Sequence, residues 1–276
     1  HQVHSRQQRL DRVAVVGDTS GRPGTLARIV RVEERRTALR RSAEDSEAAG
    51  VERVIVANAD RMLIVTALAA PPPRPRLVDR CLVAAYDAGM EPFLVLTKAD
   101  LADPAPFLEL YSALDVPTVT TALVDGAVQG LDALREVVSG HESVLVGHSG
   151  VGKSTLINAL VPGAGRATGD VNVVTGRGRH TSSNAVALEL PDGGWVIDTP
   201  GVRSFGLAHV GPDDLLAAFP DLVEVAVDCP RGCSHDGESP GCALDAWVAG
   251  GEGGPLAAAR LDSFRRLLAS RISEVP

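Results

Sequence analysis

Aromatic residues are scarce in this chain. Phe, Trp and Tyr make up only 3% of it, so a core must be assembled from Val, Leu, Ala and Ile. Long apolar runs are missing too: none reaches the roughly 18 residues that a membrane span needs, and no membrane association is expected. There is no excess of basic charge. The net charge of −8 argues against a protein that coats nucleic acid by bulk electrostatics. With only four cysteines in 276 residues, a disulfide framework of the kind that staples small secreted domains is not expected. The first residue is His1 and not Met, so nothing about targeting is read from that end.

What is present is a chain that is 45% apolar, enough for one large domain or two to three modest ones. Three regions differ in texture. Residues 1–50 are Arg-rich and polar. Short β-like stretches, Val13–Val16 and Ile29–Val32, are bounded by turn signals at Gly17-Asp18 and Gly21–Gly24, which suits part of a small β-barrel. Within this region Arg22, Arg28, Arg31, Arg35, Arg36, Arg40 and Arg41 face only Glu33 and Glu34. That patch reads equally well as a phosphate-contacting surface or as a solvated face.

Residues 51–208 alternate strand and helix patterns, the mark of a parallel sheet flanked by helices. Strands are expected at Arg53–Ala57, Met62–Ala67, Pro92–Leu96, Thr118–Thr121, Ser143–Val146, Ala185–Leu190 and Trp195–Ile197. Helices are expected at Leu77–Ala88, Leu131–Val138 and Lys153–Leu160. The proline run Pro71–Pro75 reads as a stiff loop inside this unit. Residues 209–276 show no strand pattern and end in a helical one around Leu261, Phe264, Leu267 and Leu268.

The strongest chemical signal is Gly147-His148-Ser149-Gly150-Val151-Gly152-Lys153-Ser154, a complete P-loop pattern that follows an apolar run and opens a helix. Its glycines let the backbone curl so that N–H groups point at phosphates, and the helix N-terminus adds partial positive charge. Lys153 is expected to reach the β- and γ-phosphates and Ser154, followed by Thr155, to coordinate Mg²⁺. About 45 residues after Lys153, an apolar strand ends in Asp198-Thr199-Pro200-Gly201. Asp198 there can hold Mg²⁺ through water and Gly201 can offer its N–H to the γ-phosphate.

These motifs do not choose the base. The discriminating piece is Thr97-Lys98-Ala99-Asp100, at the end of another apolar strand. In this T-K-x-D pattern the Asp100 carboxylate accepts from both N1–H and the 2-amino group of guanine, a donor pair that adenine lacks, and the Lys98 stem packs along the base. Thr97 stands where Asn is usual. That Asn mainly braces the P-loop, so its loss bears on bracing more than on base choice. Val119–Ala122, with Thr121, resembles the loop that caps the guanine. The order is informative: the base-reading motif comes about 50 residues before the P-loop, as it would in a G domain whose termini had been moved to another surface connection.

With these residues placed, the chain resembles the ribosome small-subunit-dependent GTPase family (RsgA, also YjeQ). Val16–Asp18, Ala57–Asp60, Val78–Arg80, Gly147–Ser154 with Leu156–Leu160, Gly178–Thr181 and Asp198–Gly201 with Val202-Arg203 match its landmarks. The resemblance implies an α/β fold: a circularly permuted P-loop G domain at 51–208, preceded by an N-terminal partial OB-like β-barrel at 1–50. It is followed by a C-terminal helical zinc-binding domain at 209–276. It also implies GTP hydrolysis in late maturation of the small (30S) ribosomal subunit, stimulated by that subunit, in a cytoplasmic monomer that contacts GTP or GDP, the subunit and its rRNA. A nucleotide-gated binding module, or a permuted GTPase acting on another RNA particle, is the alternative.

Gly163–Asn184 is long and rich in Gly, Arg and Thr, which fits a switch that orders around the γ-phosphate and Mg²⁺. Thr181 is the expected switch ligand to magnesium, with Ser182 as the fallback. After Gly201 stands Val202, an aliphatic residue that cannot orient an attacking water, so slow intrinsic hydrolysis is expected and His180 is the candidate catalytic group. Finally, Cys229-x₃-Cys233-x-His235-x₆-Cys242 is a Cys₃His set with closed tetrahedral zinc spacing, expected to be structural. Cys81, alone in a helical pattern, is expected in the core.

Overall fold

The computed structural model describes residues 11–20, 22, 24–41, 53–165, 185–199, 207 and 210–271. Its centre is a six-stranded sheet. The parallel strands are β5 (Arg61–Ala67), β6 (Glu91–Thr97), β7 (Thr118–Thr120), β10 (Glu142–Val146) and β12 (Trp195–Asp198), and β11 (Val186–Glu189) runs antiparallel on the edge. The spatial order is β11-β12-β10-β5-β6-β7. The chain therefore enters at the middle, works outward through β6 and β7, and returns to lay β10 beside β5. It then proceeds to the opposite edge. The direction reverses between β5 and β10, the kind of place where open α/β sheets bind ligands, beyond the carboxyl ends of the strands.

These strands are near-continuous apolar runs because both faces of the sheet are covered. Met62 and Ile64 of β5 face one layer while Leu63 and Val65 face the other, as the two-residue period of a strand requires. The second layer holds α3 (Leu131–Val138) and α4 (Lys153–Leu160). The first holds α1 (Pro75–Asp87) and α2 (Ala105–Tyr111) together with helices from the end of the chain: α5 (Pro212–Leu216), α6 (Pro220–Ala226), α7 (Ala243–Gly250) and α8 (Ala257–Ser270). Val, Leu, Ile and Ala fill the sheet, as composition dictates. Several of the few aromatics gather where α1, α6 and α8 meet: Phe219 packs edge-on against Phe264 at 5.4 Å and against Tyr86 at 6.4 Å.

Polar fasteners reinforce that junction. Asp79 of α1 is buried, pairs with Arg266 of α8 at 3.2 Å and accepts a hydrogen bond from Tyr111 at 3.0 Å. Its neighbour Arg80 donates to the Ser270 carbonyl at 2.7 Å. Burial raises the Asp79 carboxyl above its ordinary pKa, and Arg266 and Tyr111 partly oppose that rise.

Before the sheet, β1 (Val13–Gly17) pairs antiparallel with β2 (Ala27–Val32), and β3 (Ala38–Arg41) with β4 (Arg53–Ala57). The expected assignment of Arg53–Ala57 to the parallel sheet is corrected here. The turn after β4 explains the change of partner. Asn58 adopts a left-handed backbone at φ 61° and accepts from the Arg36 N–H at 2.9 Å, while the Thr37 hydroxyl donates to Ala59 at 2.7 Å. The chain is thus clasped to the strand before it and only then swings into β5. The basic patch is partly engaged internally. Arg35 pairs with Asp11 at 2.6 Å, Arg36 with Asp60 at 3.4 Å, and Arg31 with Glu33 at 2.9 Å.

Two further elements had weak sequence signals. A hairpin, β8 (Ala122–Val124) with β9 (Ala127–Gln129), turns at Asp125-Gly126, both with positive φ, as a two-residue type I′ turn needs. Helix α2 follows Asp103, whose carboxylate accepts the Ala105 N–H at 2.9 Å.

Candidate nucleotide site and metal cluster

Residues 147–152 leave the carboxyl end of β10, and α4 begins at Lys153. Gly147 lies against β5 so closely that a Cβ there would stand 2.2 Å from the Val65 carbonyl oxygen. Gly152, at φ 98°, is the left-handed N-cap of α4 and provides no side chain to cap it. The first N–H groups of α4 are therefore open to an anion. Lys153 donates to the Gly147 carbonyl at 2.6 Å and to that of His148 at 3.0 Å. Burial lowers the pKa of this ammonium and the nearby Asp198 carboxylate draws it partly back up. A desolvated cation in a curl of backbone amides is a phosphate-binding arrangement. Ser149 and Gly150 are exposed, Val151 is buried, and Ser154 and Thr155 are half-buried in the first turn of α4. Asp198 ends β12, two strands from β5, and Thr199 donates to Leu145 at 2.7 Å, tying the Asp198 strand end to β10.

Thr97, Lys98 and Asp100 lie at the end of β6, on the other side of β5. Thr in place of Asn puts bracing of the P-loop in question, and here Thr97 reaches it. The buried Thr97 hydroxyl donates to the Val151 carbonyl in the P-loop at 2.6 Å. Lys98 adopts a left-handed backbone and its ammonium donates to the Ala70 carbonyl, at the start of the proline loop. The exposed Asp100 accepts the Leu123 N–H at 3.0 Å, so the β8–β9 hairpin orients this carboxylate. Only the Asp125-Gly126 turn hinted at this donor. The Thr121 hydroxyl faces inward, donating to Leu96 at 3.2 Å, and its carbonyl accepts the Ala99 N–H at 3.1 Å. A narrow crevice of only about 10 Å³ lies between β5, the start of α1 and the P-loop, with Thr66, Pro71, Arg74, His148 and Val151 on its walls. His180, Thr181, Ser182, Gly201 and Val202 lie outside the described residues.

The four candidate metal ligands converge, their donor atoms all within 4.8 Å of one another. Cys229 Sγ is 3.6 Å from His235 Nδ1 and 4.0 Å from Cys242 Sγ, and Cys242 Sγ is 3.8 Å from the same nitrogen. Tetrahedral zinc, with Zn–S near 2.3 Å and Zn–N near 2.0–2.1 Å, places such atoms roughly 3.5–3.8 Å apart, so the donor set fits the ion. The Ala243 N–H donates to Cys229 Sγ at 3.2 Å. Cys81 is buried in α1, and burial pushes its thiol up to about 12, which makes it inert.

Comparison with known proteins agrees with this geometry. The family model described as RsgA GTPase matches residues 32–208. A Pseudomonas aeruginosa relative named small ribosomal subunit biogenesis GTPase RsgA is 42% identical over 228 residues, covering 80% of this chain. The chain spans 65% of that relative's length. A relative of the same name from Chlorobaculum tepidum is 40% identical over 88% of this chain and 78% of its own. Among solved structures, YjeQ from Thermotoga maritima superposes with a TM-score of 0.67 at 27% identity, covering 96% of this chain and 84% of that one. YloQ, described as a circularly permuted GTPase, does so at 0.63 and 22%, a likeness of fold, over 96% of this chain and 82% of that one. With the strand that ends in Thr97–Asp100 ahead of the P-loop strand in the chain and the family match spanning both, the chain belongs to the RsgA GTPase family.

Proposed function

We propose that the protein hydrolyses GTP during late maturation of the small ribosomal subunit, with turnover stimulated by that subunit. The observation that carries this reading is the convergence of Lys153, Asp198 and the Thr97–Asp100 motif on the strand ends around the β5–β10 reversal, fastened by the Thr97–Val151 hydrogen bond. In this reading Lys153 holds the β- and γ-phosphates, and Ser154 with Thr181 binds Mg²⁺. Asp198 supports the metal through water and Gly201 offers its N–H to the γ-phosphate. Asp100 reads guanine. Val202 supplies no polar group, so His180 is the residue assigned to the attacking water. Zinc at Cys229, Cys233, His235 and Cys242 is structural, because four protein ligands leave no open position.

The organisation proposed is a partial OB-like β unit at 1–50, a permuted G domain at 51–208 and a zinc-binding helical unit at 209–276, in a cytoplasmic monomer. No helix among the described residues is long and apolar enough to cross a membrane. Contact with rRNA would fall to those arginines of the first unit that do not brace the fold. GTP turnover with and without purified small subunits, with ATP as control, tests the reading. Stimulation confined to GTP and the small subunit is expected. Turnover indifferent to the subunit would remove the assigned partner, and His180→Ala with full stimulated turnover would remove the assigned catalyst.

A further inference from the structure

His235 is held from three sides. Its backbone is left-handed at φ 56° and its side chain is buried. Its carbonyl accepts from Arg265 at 2.9 Å, and Arg265 is itself pinned by Asp245 at 2.8 Å. Nδ1 faces the sulfurs of Cys229 and Cys242. The other ring nitrogen, Nε2, points out of the cluster, and the group facing it is the Asp213 carboxylate at 3.9 Å. Asp213 does not belong to the Cys229–Cys242 segment. It lies on α5, the first helix after the Asp198 strand among the described residues.

A histidine that ligates metal through one nitrogen generally donates the other N–H to a carboxylate or carbonyl, which fixes the tautomer and the ring's orientation. We propose that Asp213 is the outer carboxylate of the metal centre, a positioning residue that holds His235 with Nδ1 presented to the ion. This rests on the reading of the Cys₃His set as a zinc site. The Asp213 side chain is 93% exposed, free to close the roughly 1 Å that separates it from hydrogen-bond distance. The adjacent Asp214 cannot substitute, because its carboxylate accepts the Gly211 N–H at 2.8 Å and caps α5. Metal retention thus depends on a helix outside the ligand segment, attached to the chain that leaves the nucleotide site.

The test uses the full chain purified with zinc. Zinc per chain is counted and its affinity measured by competition with a chromogenic chelator, for the wild type, Asp213→Ala, Asp213→Asn and Asp214→Ala. One zinc per wild-type chain is expected, with about 10–100-fold weaker binding in Asp213→Ala. Asp213→Asn, which keeps a neutral acceptor, should fall between, and Asp214→Ala should stay near wild type. Equal affinity in Asp213→Ala and wild type would overturn the proposal while leaving the zinc site standing. Equal weakening by Asp214→Ala would overturn it too, by tracing the effect to α5 as a whole. A wild type that binds no zinc would overturn the metal reading itself and this inference with it.

Discussion

Thr97 donates its single hydroxyl proton to Val151 from a buried position, and the shorter side chain works because β6 brings it directly under the P-loop. Thr97→Val keeps the shape and removes the donor, leaving the Val151 carbonyl without that partner at a cost of about 1–3 kcal/mol. Thermal unfolding should drop by about 2–4 °C for each kcal/mol lost, and GDP should bind more weakly. A variant with unchanged melting and GDP affinity would show that the bond braces nothing. Asp100 permits a sharper test. An Asn there would accept from N1–H and donate to a 2-oxo group, the pattern of xanthine. Asp100→Asn should therefore lose GTP affinity by about 10–100-fold, from a lost bidentate contact of about 1–3 kcal/mol, and gain affinity for xanthosine triphosphate. Competition binding of the two nucleotides checks it. Both residues could be singled out in the sequence because a strand ending in T-K-x-D confines them to one place. The partner of Thr97 could not, since the Val151 carbonyl carries no residue-type signature.

At the scale of elements, α1 and α8 are joined through a charge pair whose acidic member is almost wholly buried. Removing the cation alone should be severe. Arg266→Ala leaves Asp79 ionised without its partner and should cost about 3–5 kcal/mol in urea unfolding. Asp79→Asn in the same chain should recover part of that. The pH dependence has a defined sign. Burial already raises the folded-state pKa of Asp79, and losing Arg266 raises it further, so the native state holds the proton more tightly than the unfolded chain. Stability of Arg266→Ala relative to wild type should therefore improve as pH falls through that raised pKa, and the gain should vanish in the double variant. A constant difference across pH would show that Asp79 is not the group responsible. The elements themselves were unevenly legible. α3 and α4 were bounded by Gly130 and Gly152 and could be read to the residue. The partner of β4 was not readable, because Arg53–Ala57 has the apolar look of a sheet strand and what diverts it is the tertiary clasp of Asn58 onto Arg36.

Across the whole molecule, the Cys/His helices do not stand apart from the sheet. Phe219, Phe264 and Leu267 belong to the same buried cluster as Ile64 and Leu94. The sequence showed two textures and could not show that their apolar faces meet, since that contact joins residues some 200 positions apart. Stripping the metal should therefore lower the melting of the entire protein in one transition. If only about 3 kcal/mol of the 10–16 that zinc supplies to small fingers is lost, the shift is roughly 6–12 °C. Calorimetry with and without a chelator decides it, and two separate transitions would mean two separate cores.

The reversed order of the sheet also has a temporal side. β5 ends at Ala67, yet the strand that covers its inner edge, β10, starts only at Glu142. On a translating ribosome moving at about 5–20 residues per second, the 75 residues between 67 and 142 take roughly 4–15 seconds to appear. Once β7 has appeared, β5–β6–β7 can pair, and the edge of β5 that β10 later covers stays unpaired until Glu142–Val146 arrives. The nascent chain therefore carries its Thr97–Asp100 strand end well before its P-loop, with the β10-facing edge of β5 left waiting in between.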